Sequence, residues 1–94
     1  MNRSELITET ALKTGMTRKD TERILNTALE LMTQELASGE SVKLSGFGIF
    51  SVKERMERYG RNPRTGEMLK IPAVKAVQFR PGKALKEAVE GKEE

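Results

Sequence analysis

Apolar positions along the chain follow two periods, and the change of period divides it. Leu6, Ile7, Ala11 and Leu12 recur at helical spacing after Ser4, whose hydroxyl is positioned to cap a helix with Glu5 in its first turn, and Thr14-Gly15 ends the run. Thr17 with Asp20 three residues on resembles a capping box and opens a longer helix that closes at Ser38-Gly39. On it Ile24, Leu25, Ala28, Leu29, Leu31, Met32 and Leu36 spread over an arc of roughly 160° at about 100° per residue. One short helix cannot cover so wide an arc. Gly15 and Gly39 read as helix C-caps.

Beyond Gly39 the period becomes two. Val42 and Leu44 alternate with charge, Ser45-Gly46-Phe47-Gly48 reads as a turn, and Ile49, Phe50 and Val52 begin a return strand. That strand is expected to continue from Lys53 to Tyr59, reverse at Gly60-Arg61-Asn62-Pro63-Arg64-Thr65-Gly66, and come back through Met68, Leu69, Ile71, Val74, Val77 and Phe79, interrupted at Pro72. Arg80-Pro81-Gly82 is expected to break it. Lys83 to Val89 resume a helical period with Leu85, Ala88 and Val89 inward, ahead of a frayed acidic tail, Gly91-Lys92-Glu93-Glu94. The pattern is that of a single α+β domain.

Residues 53 to 70 carry only Met56, Tyr59, Met68 and Leu69 as apolar or aromatic side chains, too few to hold a hairpin flat against a core. An arm projecting into solvent is the expectation. The remainder is small for one hydrophobic core, and the wide stripe of the second helix suggests a second copy as its cover, with two arms set side by side by a two-fold axis.

Charge sharpens this picture. The 94 residues hold 17 Lys+Arg and 14 Asp+Glu, a net charge of +3. The distribution is uneven: residues 1 to 42 carry 5 basic and 7 acidic side chains, 43 to 86 carry 11 and 3, and 87 to 94 carry 1 and 4. The arm concentrates Lys53, Arg55, Arg58, Arg61, Arg64 and Lys70, mostly arginines, whose planar fork suits phosphate and groove-edge acceptors. Pro63 at the tip is a rigid apolar wedge for a base step. The expected partner is double-stranded DNA. Cysteine and histidine are both absent, which removes disulfides, thiol chemistry and the commonest metal ligand. No nucleophile–base pair, phosphate loop or metal cluster is evident, so neither an enzyme, a cofactor, a metal nor a small-molecule substrate is expected. The N-terminus lacks the basic flank and apolar core of a signal peptide, and no membrane segment is expected, which fits a cytoplasmic setting.

Val42-Lys43-Leu44-Ser45-Gly46-Phe47-Gly48, then Gly60-Arg61-Asn62-Pro63-Arg64-Thr65-Gly66, then Phe79-Arg80-Pro81-Gly82-Lys83, resemble the HU/IHF family of bacterial histone-like proteins over nearly the whole chain. The resemblance implies an intertwined homodimer, or a heterodimer with a related subunit, having a helical base and a β-sheet saddle extended into two β-ribbon arms. Residues 1–39 would form the base, 40–52 and 71–82 the sheet, 53–70 the arm, 83–90 a C-terminal helix and 91–94 a tail. It implies a nucleoid-associated, largely sequence-tolerant protein that bends or compacts DNA from the minor groove, with Pro63 intercalating. Arg55, Arg58 and Arg61 match arm arginines and Asn62 the tip. Arg3, Lys83 and Lys86 match cations facing the DNA flanks, and Gly46 and Gly48 match a turn that approaches phosphate. Arg64, Lys53, Lys70 and Arg80 complete the expected DNA-binding set. Leu29, Leu36, Leu44, Phe47, Phe50 and Phe79 form the expected dimer core. Tyr59 and Met56 are bulkier than the family pattern. Features of both subfamilies are present.

Plainer readings stand beside these. Lys43 and Lys75 read either as phosphate contacts or, more plainly, as solubilising charges on exposed strands. Tyr59 serves equally as a cross-strand packing residue or a stacking one. Glu54 and Glu57, three apart on a strand, face opposite sides and make a poor carboxylate pair. An RNA-binding or ribosome-associated protein, or an assembly protein binding acidic surfaces, are the alternatives to a DNA-bending one.

Overall fold

The computed structural model describes residues 1–91, so the acidic tail expected at 91–94 lies outside the described residues beyond Gly91. Eight elements follow in order: α1 (Arg3–Thr14), α2 (Arg18–Ala37), β1 (Val42–Leu44), β2 (Gly48–Arg55), β3 (Arg58–Arg61), β4 (Met68–Ile71), β5 (Val74–Pro81) and α3 (Lys83–Glu90). They fall into two compact units that divide between Glu35 and Leu36.

In the first unit α1 begins earlier than the serine suggests. Asn2, in extended conformation, is the cap: its Oδ1 accepts the N–H of Glu5 at 2.8 Å. Ser4 is inside the first turn, and its hydroxyl instead accepts from Arg18 Nη2 at 3.0 Å, while Arg18 Nε donates to Thr8 at 2.9 Å. Asparagine caps as well as serine does, and the extended residue in front of the helix takes the role. Thr17 caps α2 as expected, accepting the Asp20 N–H at 3.1 Å. Gly15 (φ +75°) closes α1 in the left-handed conformation that its missing Cβ makes cheap. Ile7 and Ala11 are the buried apolar side chains, with Thr21 buried beside them and its hydroxyl donating to the Thr17 carbonyl at 2.8 Å. Ile24 and Leu31 on α2 remain 57% and 58% exposed.

The second unit holds a three-stranded antiparallel sheet ordered β1-β2-β5 and a separate two-stranded ribbon, β3-β4. The hairpin joining β1 to β2 turns on Gly46 (φ +82°), with the Phe47 N–H donating to the Leu44 carbonyl at 2.9 Å. Phe50 is opposite Phe79, and the pairing runs from Gly48 opposite Pro81 to Arg55 opposite Val74. Lys53 and Arg55, expected on the arm, therefore pair within the sheet. The continuous strand expected from Lys53 to Tyr59 is broken at Met56-Glu57, which lie across from the break at Pro72-Ala73. Proline lacks the N–H that the ladder needs, so the partner strand loses its register at the same level. At the other end β5 runs on through Arg80 and Pro81 instead of stopping before them, since the sheet terminates there and Pro81 owes no further hydrogen bond. Gly82 then donates its N–H to Phe47 at 2.8 Å and leads into α3.

Because opposed residues share a face, this register sorts the sheet into two unlike surfaces. One carries Val42, Leu44, Phe50, Val52, Val77 and Phe79. The Phe79 ring lies 4.7 Å from that of Phe50 and 5.7 Å from that of Phe47, in tilted contacts. Gly48 is buried beneath this cluster. A Cβ there would stand 2.6 Å from Phe79 Cε1 and 2.7 Å from the Arg80 carbonyl oxygen. Gly48→Ala is expected to lower stability by about 2 kcal/mol through overpacking against backbone and ring, read as the shift in urea midpoint at fixed protein concentration.

Candidate nucleic-acid interface

The opposite surface of the sheet carries Lys43, Ile49, Ser51, Lys53 and Arg55 from β1 and β2, with Val74, Ala76, Gln78 and Arg80 from β5. Four cations and two neutral hydrogen-bonding side chains share this face, which bears no carboxylate on its paired strands. Glu54 and Lys75 are opposed on the other face and pair with each other at 3.7 Å. The two lysines thus part company: Lys43 joins the cationic face and Lys75 is occupied by Glu54. Ser51 and Gln78 are the residues of this face that the sequence pattern does not single out. Their signal was the i, i+2 spacing of Ser51-Lys53-Arg55 and Gln78-Arg80, usable only once the register was known.

On the ribbon, Arg58 and Gly60 share a face with Leu69 and Ile71, and Tyr59 and Arg61 share the other with Met68 and Lys70. Arg55, Arg58, Arg61 and Arg64 have no carboxylate within ion-pair distance among the described residues, whereas Lys70 Nζ is 3.3 Å from Glu57 Oε1. Such exposed pairs are worth little, so Glu57 holds Lys70 only loosely. Glu54 and Glu57 are each taken by a separate lysine and form no carboxylate pair.

The tip is a closed loop. Asn62 donates its N–H to the Glu67 carbonyl and accepts from Gly66 on its own carbonyl, both at 2.8 Å, while its Oδ1 accepts the Arg64 N–H at 2.9 Å. Thr65 Oγ1 accepts the Glu67 N–H at 3.3 Å, and Gly66 (φ +75°) completes the reversal. The Asn62 side chain therefore organises the loop, and Pro63 is left exposed at its crown.

The remaining expected residues are more dispersed. Gly46 supplies the positive φ of the β1–β2 turn, and Gly48 is a packing requirement under Phe79. Lys83 lies 3.9 Å from Glu87 along α3, and Lys86 is exposed one turn from the start of that helix. Arg3 belongs to the first unit, where its Nη1 reaches Asn26 Oδ1 at 3.4 Å. Of the expected dimer core, Leu29, Leu36 and Phe50 are half-buried and Leu44, Phe47 and Phe79 exposed. Among the described residues no cluster of metal-ligating side chains occurs, and no helix is long and apolar enough to cross a membrane.

Residues 1–90 match the family model described as bacterial DNA-binding protein. The chain belongs to that family. The DNA-binding protein HU of Lactococcus lactis is 52% identical over 88 residues, covering 94% of this chain and 97% of that protein. The HU of Geobacillus stearothermophilus is 47% identical over 89 residues, 95% of this chain and 99% of that protein. Among solved structures, the Anabaena HU–DNA cocrystal structure superposes with a TM-score of 0.84 at 42% identity, covering 95% of this chain and 97% of that one. HU from Thermotoga maritima gives 0.67 at 38% identity, covering 95% and 98%. The α+β fold with an extended arm is that of HU proteins. For this HU-family chain, Asn62→Ala is expected to increase amide exchange at Arg64 and Gly66 about tenfold while leaving the global unfolding midpoint in place, measured by NMR hydrogen exchange.

Proposed function

We propose that this protein is a non-enzymatic architectural DNA-binding protein that grips duplex DNA in the minor groove as a dimer and bends it. The observation that carries this reading is the run of arginines without carboxylate partners among the described residues, Arg55, Arg58, Arg61 and Arg64, along an exposed β structure that ends in an exposed proline. Unpaired guanidinium groups fit phosphates and groove-edge acceptors, and a ribbon is narrow enough to follow a groove. Likeness to a chain seen with DNA at a TM-score of 0.84 supports the same partner.

Each element then has a task. The cationic sheet face, with Lys43, Lys53, Arg55 and Arg80, neutralises the phosphates of the duplex where it crosses the saddle. Arg58, Arg61 and Arg64 follow the groove with the ribbon, Lys70 joins them when Glu57 releases it, and Asn62 holds the loop that presents Pro63. The proline ring enters a base step, unstacks it and kinks the duplex, and that cost is offset by the flanking contacts the bend permits. Arg3, Lys83 and Lys86 meet the flanks, and Gly46 lets the turn backbone come close to a phosphate. None of these contacts reads base identity in detail, so binding is largely sequence-tolerant and suits the cytoplasmic nucleoid.

The dimer follows from what the single chain leaves uncovered. Ile24, Leu31, Val77 and Phe79 are exposed at 57%, 58%, 64% and 38%. An open apolar groove of about 380 Å³ runs along Leu6, Met16, Ile24, Leu25 and Ala28 in the first unit. A second copy placed on a two-fold axis covers such surfaces symmetrically and doubles the arm. The apparent melting temperature is therefore expected to rise with protein concentration, as mass action requires of an obligate dimer; a concentration-independent midpoint would count against it.

Binding and bending are separable. Arg58→Ala and Arg61→Ala, each removing one cation from both arms of the dimer, are each expected to make the slope of log affinity against log salt shallower by about 1.8, and Glu57→Gln, by freeing Lys70, to make it steeper. Pro63→Gly is expected to reduce bending, read by energy transfer between the ends of a labelled duplex, far more than it reduces low-salt affinity. A mutant that bends DNA as well as the parent does would remove the wedge from the mechanism.

A further inference from the structure

The two faces of the β3–β4 ribbon use their apolar side chains differently. On one, Ile71 lies over Gly60, with Ile71 Cδ1 only 3.1 Å from where a Gly60 Cβ would be, and Ile71 and Leu69 are 36% and 48% exposed. On the other, Tyr59 and Met68 are 65% and 62% exposed. The Tyr59 ring stacks on no other aromatic ring among the described residues. Their cross-strand partners are Lys70 and Arg61, so a cation stands opposite each apolar side chain. The second face is thus the barer of the two.

We propose that Tyr59 and Met68 form an apolar ledge, edged by Arg61 and Lys70, that packs against the deoxyribose wall of the minor groove and makes the protein prefer DNA over RNA duplexes. This rests on the reading of the ribbon as a minor-groove binder. The occupant follows from the chemistry of the face. A surface that alternates cations with apolar groups is complementary to a strand that alternates anionic phosphates with sugar rings. Side chains on one face of a strand recur about every 6.7 Å, a scale suited to successive backbone units. In B-form DNA the sugar presents C–H edges to the ledge. In an A-form RNA duplex the minor groove displays 2′-hydroxyls, which the carbon face of the Tyr59 ring and the Met68 thioether chain, unlike the phenol hydroxyl at the ring's end, would strip of water without repaying a hydrogen bond. Discrimination then comes from the penalty against the hydroxyl as well as from apolar contact with the sugar.

The test uses the full-length protein and one short duplex sequence made as DNA and as RNA, with binding followed by fluorescence anisotropy across a salt series. For the double variant Tyr59→Ser/Met68→Ser, DNA affinity is expected to fall about tenfold, as loss of partly buried apolar contact predicts, with an unchanged salt slope and a correspondingly smaller DNA-to-RNA ratio. Far-UV circular dichroism and the thermal midpoint check that the fold survives. Tyr59→Lys provides a second arm that retains a long side chain: it is expected to steepen the salt slope while still reducing the DNA-to-RNA ratio. If either variant, folded, keeps the parent's ratio, the ledge has no part in selection and the inference falls. Failure of the parent protein to bind duplex DNA at low salt would instead overturn the function on which it rests.

Discussion

The pairing of Phe50 with Phe79 is the constraint from which the rest of the second unit follows. Side chains in a strand alternate strictly, so one register decides the face of every residue from Val42 to Arg55 and from Val74 to Pro81. Slipping it by one would turn the phenylalanines toward solvent and bring Lys53, Arg55 and Arg80 into the apolar layer. The tilted contact of the two rings, and a glycine beneath them that no other residue can replace without collision, hold the register against that slip. A surface for a polyanion is in this sense a by-product of apolar packing on the reverse side.

The same logic explains the division of labour between sheet and ribbon. The ladder continues only as far as Arg55 and Val74, where Pro72 withdraws a donor and Met56-Glu57 lose their partners. A second ladder starts beyond the break, with too little apolar surface to join a core and with its arginines unpaired. Ion pairs flank the break on both sides, Glu54 with Lys75 and Glu57 with Lys70. These exposed pairs add little stability and hold their lysines only loosely against an anionic partner.

Much of this was legible in the pattern alone. The two long helices, the turn at Gly46, the interruption at Pro72 and the tip from Gly60 to Gly66 each carry strong local chemistry: capping side chains, glycines with positive φ, a proline without its donor. The pattern alone does not decide where several local solutions compete. Ser4 and Asn2 are both competent caps, and only the extended conformation of Asn2 decides between them. Arg80-Pro81 reads as a strand breaker until the end of the sheet is known to fall there. Lys43 and Lys75 look alike in sequence, and their difference is a matter of which face they occupy.

The sequence by itself determined the class of the protein: an α+β chain with an apolar stripe too wide for one short helix to cover, a cationic middle segment without a core, and a rigid tip. Those are properties of composition and period, which survive any uncertainty about pairing. Tertiary structure alone decided which charges act together, because Lys43, Lys53, Arg55 and Arg80 come from three strands and converge only through a register set elsewhere. It also decided how bare each apolar side chain of the ribbon is left. Ile71 and Tyr59 both belong to β-prone residue types, and the cross-strand geometry around Gly60 leaves the first 36% and the second 65% exposed.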